Sequence, residues 1–163
     1  MADPNILKGA KLYICETAQG ADLNESEFEG LTWVEIKKVV TFPMVGRTDN
    51  IVSQDYVDTT VSQYRKGFAN AGQSQIVVGR DYEDAGQTAL RAAAATPLNY
   101  AFKIEGNDAT GTGTGDFTAT FWYTRGVIGG PMTTATGGED FQNETFEVAF
   151  NQVALVTDPE EIT

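Results

Sequence analysis

Apolar and polar residues alternate along three stretches in the second half of the chain. Strict alternation over four to eight residues is typical of a β-strand with one buried face. The apolar members are Leu98, Tyr100, Phe102 and Ile104 in the first stretch, Phe117, Ala119, Phe121 and Tyr123 in the second, and Phe146, Val148 and Phe150 in the third. Glycine-rich breaks at 111–115, 129–131 and 137–138 predict turns, so the pattern indicates a mainly antiparallel β protein.

Earlier in the chain, residues 32–42 are rich in β-forming residues, but their alternation slips at Lys37 and Lys38. Such a slip indicates a bulge or a turn between two strands. Residues 11–15 and 75–78 are shorter candidate strands.

Residues 83–95 depart from the strand pattern, because acidic residues are followed by an alanine-rich body that stops before Thr96-Pro97. This order predicts one helix of about three turns. Asp81 is a candidate cap, and Ala89, Leu90 and Ala93 are expected to pack on the sheet.

Residues 43–72 lack a regular core-facing pattern. A segment of this length without clear secondary structure is unusual inside a compact domain, and such loops are commonly functional. We therefore expect a long loop here that is functional or held by another chain, and expect 49–70 to be mobile in a free monomer. The proline-marked ends, 1–9 and 158–163, are predicted to be flexible arms around a core at about 10–157.

Composition narrows the range of functions. The 163 residues fit one domain, and 23 acidic against 11 basic residues give a net charge of −12, which argues against sequence-specific nucleic-acid binding. The chain has no histidine, which excludes imidazole-based triads and acid–base chemistry. The single cysteine, Cys15, lies in an apolar run and is expected to be buried. We find no leader peptide or membrane-spanning stretch, and expect synthesis in a cytoplasm.

No residue constellation supports a catalytic, metal or cofactor site. The acidic residues lack the spacing of a calcium loop, and 111–115 lacks the Lys-Ser/Thr of a phosphate-binding loop. A hydrolase that uses carboxylates alone is therefore the least favoured class. An all-β carbohydrate-binding or adhesion module, which stacks sugars on aromatic rings, is an alternative class. Its candidate stacking residues are Trp33, Trp122 and Tyr123.

The order of these features resembles the major tail tube protein of long-tailed, non-contractile (siphovirus-like) phages or of a related gene-transfer particle. The resemblance covers about residues 10–157. It rests on Trp33 with Ile36 and Val39, the glycine at 46, the acidic and threonine-rich stretch 55–61, the glycines at 67 and 72, the helix, and the closing strands.

The resemblance implies a β-sandwich or half-barrel with one flanking helix and no enzyme activity. Family members form stacked, usually hexameric rings, whose inner strands make a continuous barrel around the channel through which DNA is delivered. The long loop of the family contacts a neighbouring subunit or ring. The corresponding residues here are Asp49, Ile51, Tyr56, Arg65, Lys66 and Phe68, and the candidate channel-facing residues are Glu35, Lys37, Glu147 and Asn151.

The implied partners are copies of the chain itself and the tape measure, tail terminator and distal tail proteins. DNA would be in contact only during passage, since an acidic wall repels phosphates. The implied location is the virion tail, assembled in the host cytoplasm without a membrane. A type VI secretion-like tube protein, a capsid decoration protein and a head–tail connector remain alternatives.

Overall fold

The computed structural model describes residues 8–134 and 137–163, and in these ranges the chain forms nine strands and two helices. The helices are α1 (Glu25–Glu29) and α2 (Ala85–Ala94). The strands are β1 (Lys11–Cys15), β2 (Trp33–Ile36), β3 (Val39–Thr41), β4 (Thr48–Gln54), β5 (Gln63–Asn70), β6 (Gln73–Gly79), β7 (Tyr100–Glu105), β8 (Phe121–Thr134) and β9 (Asn143–Thr157).

Seven strands form one antiparallel sheet in the order β2-β1-β7-β8-β9-β6-β3, and β4 and β5 pair only with each other. The prediction of a mainly β, antiparallel protein is therefore confirmed. The strand break at Lys37 and Lys38 is also confirmed, because these two residues separate β2 from β3.

The position of these two residues determines the shape of the sheet. They join β2 at one edge to β3 at the other, and the step from Ile36 to Val39 can span at most about 11 Å. The sheet must therefore roll until its edges nearly meet, as a half-barrel that stays open. Lys38 has a left-handed backbone with φ of 57°, and its carbonyl accepts a hydrogen bond of 2.8 Å from the Gly79 amide of β6.

Helix α2 packs against the inner face of the rolled sheet. Ala89, Leu90 and Ala93 are buried there, as predicted. The sheet contributes Leu12, Ile14, Ile36, Ile76, Val78, Tyr100, Phe102, Ile104, Ile128, Phe146, Val148 and Phe150 to the same core. The helix begins later than predicted, and Asp84 rather than Asp81 is its N-cap, because the Asp84 carboxylate accepts from the Gln87 amide.

The first turn of α2 is bound to the joint between β2 and β3 and to β6, the strand that pairs with the edge strand β3. The buried Gln87 side chain donates to the carbonyls of Lys37 and Gly79, at 3.0 and 2.9 Å. Asp84 also accepts a bond of 3.2 Å from the Lys37 amide. These bonds satisfy backbone groups at the point where the sheet edges approach, which would otherwise be costly to bury.

The outer face is covered at the β2–β1–β7 end by α1 and the segments around it. Phe28 of α1 packs with Cys15, Ala101 and Tyr123, and its ring stacks on that of Tyr123 with centroids 5.3 Å apart. Two helices thus flank the sheet, where one was predicted. At five residues, α1 is too short for a helical period, although Asn24 and Glu27 form a capping box that marks its start.

Strand β8 differs from its prediction at both ends. It begins at Phe121, so Phe117 and Ala119 lie outside it, and it continues through the glycine-rich break at 129–131. The register with β9 shifts between Gly129 and Met132, so these residues form an irregularity within the strand rather than a turn. The break at 111–115 does lie in the connection between β7 and β8.

The C-terminal segment predicted as a free arm is hydrogen-bonded to the body. The backbone of Ile162 bonds with Gly115 and Asp116 at 2.8 and 2.7 Å, and Thr118 donates to Glu160 at 2.9 Å. Of the predicted N-terminal arm, residues 1–7 lie outside the described residues.

Replacing Gly86 with alanine should destabilise the fold. A Cβ atom at this position would lie 2.1 Å from the Glu35 carbonyl oxygen, so α2 must move away from β2. We expect the free energy of unfolding to fall by about 3 kcal/mol in a urea titration. Gly20→Ala is the control, since no atom lies within 4 Å of its new methyl group. Equal stability of the two variants would contradict the proposed contact.

Candidate subunit interface

Residues 43–72 form a β-hairpin instead of the predicted irregular loop. β4 and β5 pair antiparallel from Thr48 opposite Asn70 to Gln54 opposite Gln63, with a register shift between Asp49 and Ile51. All but one of the 15 strand residues are exposed, and Asp49 is half-buried. The hairpin thus extends from the rolled sheet with both faces open to solvent.

One hairpin face brings together three of the six residues predicted to contact another subunit. Strand alternation and the observed register place Ile51 and Lys66 on it with Tyr64, and the Asp49–Lys66 ion pair adds Asp49. The side chains of Ile51, Tyr64 and Phe68 are 64%, 68% and 92% exposed. Exposed apolar groups in one patch usually mark a protein–protein contact.

The other three predicted residues are not placed on this face by the register. Phe68 lies in the register shift between the Asp49–Ala69 and Ile51–Lys66 pairs. Arg65 is opposite Val52 on the second face, and Tyr56 lies in the tip loop beyond the paired residues. Sequence analysis missed Tyr64, although its two-residue spacing from Lys66 is visible in the sequence once strand pairing is assumed.

Two ion pairs share the Asp49 carboxylate near the hairpin base, and one of them crosses between the strands. The Asp49 carboxylate accepts from Arg47 at 2.8 Å and from Lys66 at 3.2 Å. The bonds to Arg47 and then Lys66 hold the pKa of Asp49 below its usual value, so its charge persists on mild acidification. Such exposed pairs orient side chains more than they stabilise the fold.

A second candidate surface is the outer sheet face that α1 leaves uncovered, here called the open face. Gln75 on β6, Glu147 on β9 and Gly129 on β8 lie side by side on it. Together with Gln73, Val127 and Ala149 they line a shallow groove. The groove contains one carboxylate and no cationic side chain.

The four predicted channel-facing residues do not form one group. Glu147 and Asn151 are exposed on β9, and the Asn151 amide donates to Asn99 at 2.6 Å. Glu35 lies on β2, four strands away across the sheet, and Lys37 lies in the joint that follows β2. No geometry here decides which of them faces a channel, so that assignment stays a prediction.

The long β8–β9 pair leaves two strand edges without a partner strand. Sequence analysis did not identify these edges. β7 accompanies β8 only to Gly126, and β6 accompanies β9 only to Ala149. Within the described part of the chain, no strand lies beside 127–134 or beside 151–157 on those outer sides. These edges face opposite directions, and unpaired edges readily bind strands of other chains.

The aromatic residues considered for sugar stacking do not share a surface. Trp33 and Tyr123 pack together on the outer face with ring centroids 6.1 Å apart, whereas Trp122 packs against the inner core. The nearby Lys103 ammonium lies 4.3 Å from the Tyr13 ring centroid, and burial lowers its pKa. These contacts fill the space beside α1 with packed side chains rather than a ligand surface.

Metal sites and membrane-spanning helices are two further classes of feature to consider. Among residues 8–134 and 137–163, no group of three or more Cys, Asp or Glu side chains is arranged to hold a metal ion. None of the helices in the same ranges has the length and apolar content to cross a membrane.

Comparisons with known proteins show a shared fold but no protein family. No protein-family model matches the sequence, and no curated protein matches it. The structure is similar to a chain in the six-fold symmetrised cryo-EM structure of the anti-feeding prophage baseplate, with a TM-score of 0.65 and 8% sequence identity. The match covers 97% of this chain and 98% of the other, so the two share a fold over nearly their full lengths.

Truncation of an interface residue and of a core residue should affect folding differently. Phe68→Ala removes a side chain that is 92% exposed, so the free energy of unfolding of the monomer should change by less than about 0.5 kcal/mol. Phe146→Ala empties a fully buried position and should cost about 3–5 kcal/mol. Urea unfolding under monomeric conditions measures both. A large loss in Phe68→Ala would mean that the hairpin packs on its own body.

Proposed function

We propose that the protein is a structural component of a phage tail or tail-like particle, and that its copies assemble into stacked, ring-shaped tubes. The observation that carries this proposal is the exposed β4–β5 hairpin. An isolated two-stranded hairpin is at best marginally stable in water, and this one exposes several large apolar side chains. A neighbouring chain that covers Ile51, Tyr64 and Phe68 would account for both features.

The distribution of charge favours a second copy of the chain as that neighbour. Residues 47–70 carry three basic and three acidic side chains, which balance. The remaining eight basic and twenty acidic residues carry the full net charge of −12. A neutral hairpin can approach an acidic body without the repulsion that two acidic bodies would experience.

The two unpaired sheet edges favour a ring. Residues 127–134 of one copy and 151–157 of the next are different edges that face opposite ways, so their pairing is head to tail. Head-to-tail contacts close into rings when the rotation between neighbours permits. The similar chain belongs to a six-fold symmetrised assembly, which supports six copies for the ring. Edge pairing would join the sheets into a barrel around a channel.

In such a ring, the open face is the candidate channel wall. Its Gln73, Gln75 and Glu147 side chains offer no cation to hold a phosphate. A wall of this kind would let DNA pass without binding it, since the counterion-release contribution to affinity is missing.

The role is structural, without catalysis, cofactor or metal. Tape measure, tail terminator and distal tail proteins are the further partners in a virion tail built in the host cytoplasm.

Size-exclusion chromatography with light scattering, followed by negative-stain microscopy at raised concentration, tests assembly. We expect rings or tubes with a central channel. Phe68→Ala should raise the protein concentration needed for assembly by about tenfold or more, because a central apolar contact is lost. Leu98→Ala, an exposed apolar position outside the hairpin, is the control. A wild-type protein that is monomeric at every concentration would contradict the proposal.

The channel assignment has a separate test. Glu147→Lys introduces a cation on the open face, where it would attract phosphates, so DNA delivery should slow while rings still form. The measurement is infectivity of particles that carry the variant, together with microscopy of their tails. Glu83→Lys, on the connection before α2, is the control. Normal infectivity of Glu147→Lys particles would argue against this face as the channel wall.

A further inference from the structure

The proposed channel wall has one cation at its border. Of the described residues in β6, β8 and β9, the three strands of the open face, only Arg125 is basic. It lies opposite Ala101 of β7, which belongs to the outer-face cluster under α1. It is also two residues along β8 from Val127, which lines the open-face groove. A free guanidinium here would bind phosphate, because arginine presents several N–H donors in a planar fork.

The connection between β1 and β2 covers this cation. In its residues 16–24, here called the strap, the Gln19 carbonyl accepts a hydrogen bond of 3.2 Å from the Arg125 guanidinium. The Asp22 carboxylate of the strap accepts a second bond from the same guanidinium at 2.5 Å. The Arg125 side chain is 8% exposed, whereas that of Asp22 is 71% exposed. The ion pair therefore presents its carboxylate to solvent and keeps its cation beneath.

A second buried side chain holds the strap in place. Gln152 on β9 lies directly opposite Arg125 and is also buried. Its side-chain amide donates to the Leu23 carbonyl at 2.6 Å and accepts from the Leu23 backbone N–H at 3.0 Å. Both backbone polar groups of one strap residue are thus bonded to one side chain of the sheet. These bonds fix the strap beside Arg125, so the position of Asp22 does not depend on the ion pair alone.

Stability alone does not account for an arginine at this position. Among the described residues, Asp22 is the one ion-pair partner of Arg125 within 4 Å, and the buried Nε of Arg125 has no hydrogen-bond partner. A buried N–H group without a partner costs free energy, and a buried ion pair rarely offsets the removal of its charges from water. An apolar side chain would therefore suit the space beneath the strap at least as well. The cation and its carboxylate have instead the composition of an anion site that the chain itself fills.

We propose that Arg125 forms an anion-binding site at the border of the open face, and that Asp22 occupies this site so that passing DNA cannot. This inference rests on the proposed function, because it concerns the surface that DNA would pass. The Asp22 carboxylate takes the place that a phosphate oxygen would take, and the strap buries the rest of the guanidinium. In a ring of such copies, β6, β8 and β9 then offer no cation whose contact with phosphate would release counterions and retain DNA.

Retention of DNA by assembled tubes tests the site. Asp22→Ala removes the carboxylate and leaves the outer end of Arg125 open to solvent. Tubes of this variant are mixed with a short fluorescent DNA duplex at low salt and sedimented, and the bound DNA is measured. Glu29→Ala is the matched control, because it removes the same charge from the same connection. Within the described residues, Glu29 belongs to no ion pair within 4 Å.

We expect at least about tenfold more DNA on Asp22→Ala tubes than on Glu29→Ala tubes, because one new phosphate contact per copy is repeated along the tube. Retention should fall as salt rises and should be lost in the double variant Asp22→Ala/Arg125→Met. A purely structural role of the ion pair predicts neither result. If Asp22→Ala impairs assembly, Asp22→Asn, which keeps an oxygen to accept from Arg125, takes its place with Glu29→Gln as its control.

Equal retention by the Asp22 and Glu29 variants, in samples where microscopy shows tubes, would overturn the anion site and leave the proposed function intact. Failure of the wild-type chain to assemble would overturn the proposed function and the anion site with it.

Discussion

The buried side-chain amide of Gln87 ties the joint between the two sheet edges to the body of the sheet, and the rest of the structure depends on that joint. It donates to the Lys37 carbonyl in the joint between β2 and β3 and to the Gly79 carbonyl at the end of β6, the strand that pairs with β3. Gly86 lets the helix approach close enough for these bonds, and Asp84 adds a third from the same turn. The sheet rolls around α2 because its edges are joined there, and the large core on its inner face follows from that curvature.

Rolling also determines which surfaces remain for other chains. The inner face is filled by α2, and the outer face is covered only where α1 and its flanking segments pack. What stays open is the outer face of β6, β9 and part of β8, with the two unaccompanied strand edges beside it. Both edges and the open face come from one feature, a β8–β9 pair that is longer than its neighbours on either side. A ring formed by those edges would therefore carry the open face continuously around its circumference.

The parts of the fold that follow from local patterns could be predicted from the sequence. Alternation identified β7 and the middle of β9, and the alanine-rich run identified α2 and its buried face. The slip at Lys37 and Lys38 identified a strand break, but local pattern cannot show that the two strands lie at opposite edges of a sheet. That arrangement depends on the pairing of β3 with β6, about 37 residues later in the chain. Helix α1 was missed because five residues give no period, and its stability comes from Phe28 packing on Tyr123.

The hairpin is a second case in which local sequence pattern does not show the structure. Its strands have no buried face, so the alternation that reveals a strand is absent, and only cross-strand pairing makes Ile51, Tyr64 and Lys66 neighbours. The absence of a core-facing pattern was nevertheless informative, because a segment that its own chain does not bury is free to be buried by another. Its balanced charge within a strongly acidic chain adds to this argument. Acidic bodies repel one another and keep free copies apart, while the hairpin supplies apolar contacts that act only at short range. Association then requires the hairpin to reach a matching surface, so the same charge that prevents nonspecific aggregation favours ordered addition of one copy to the next.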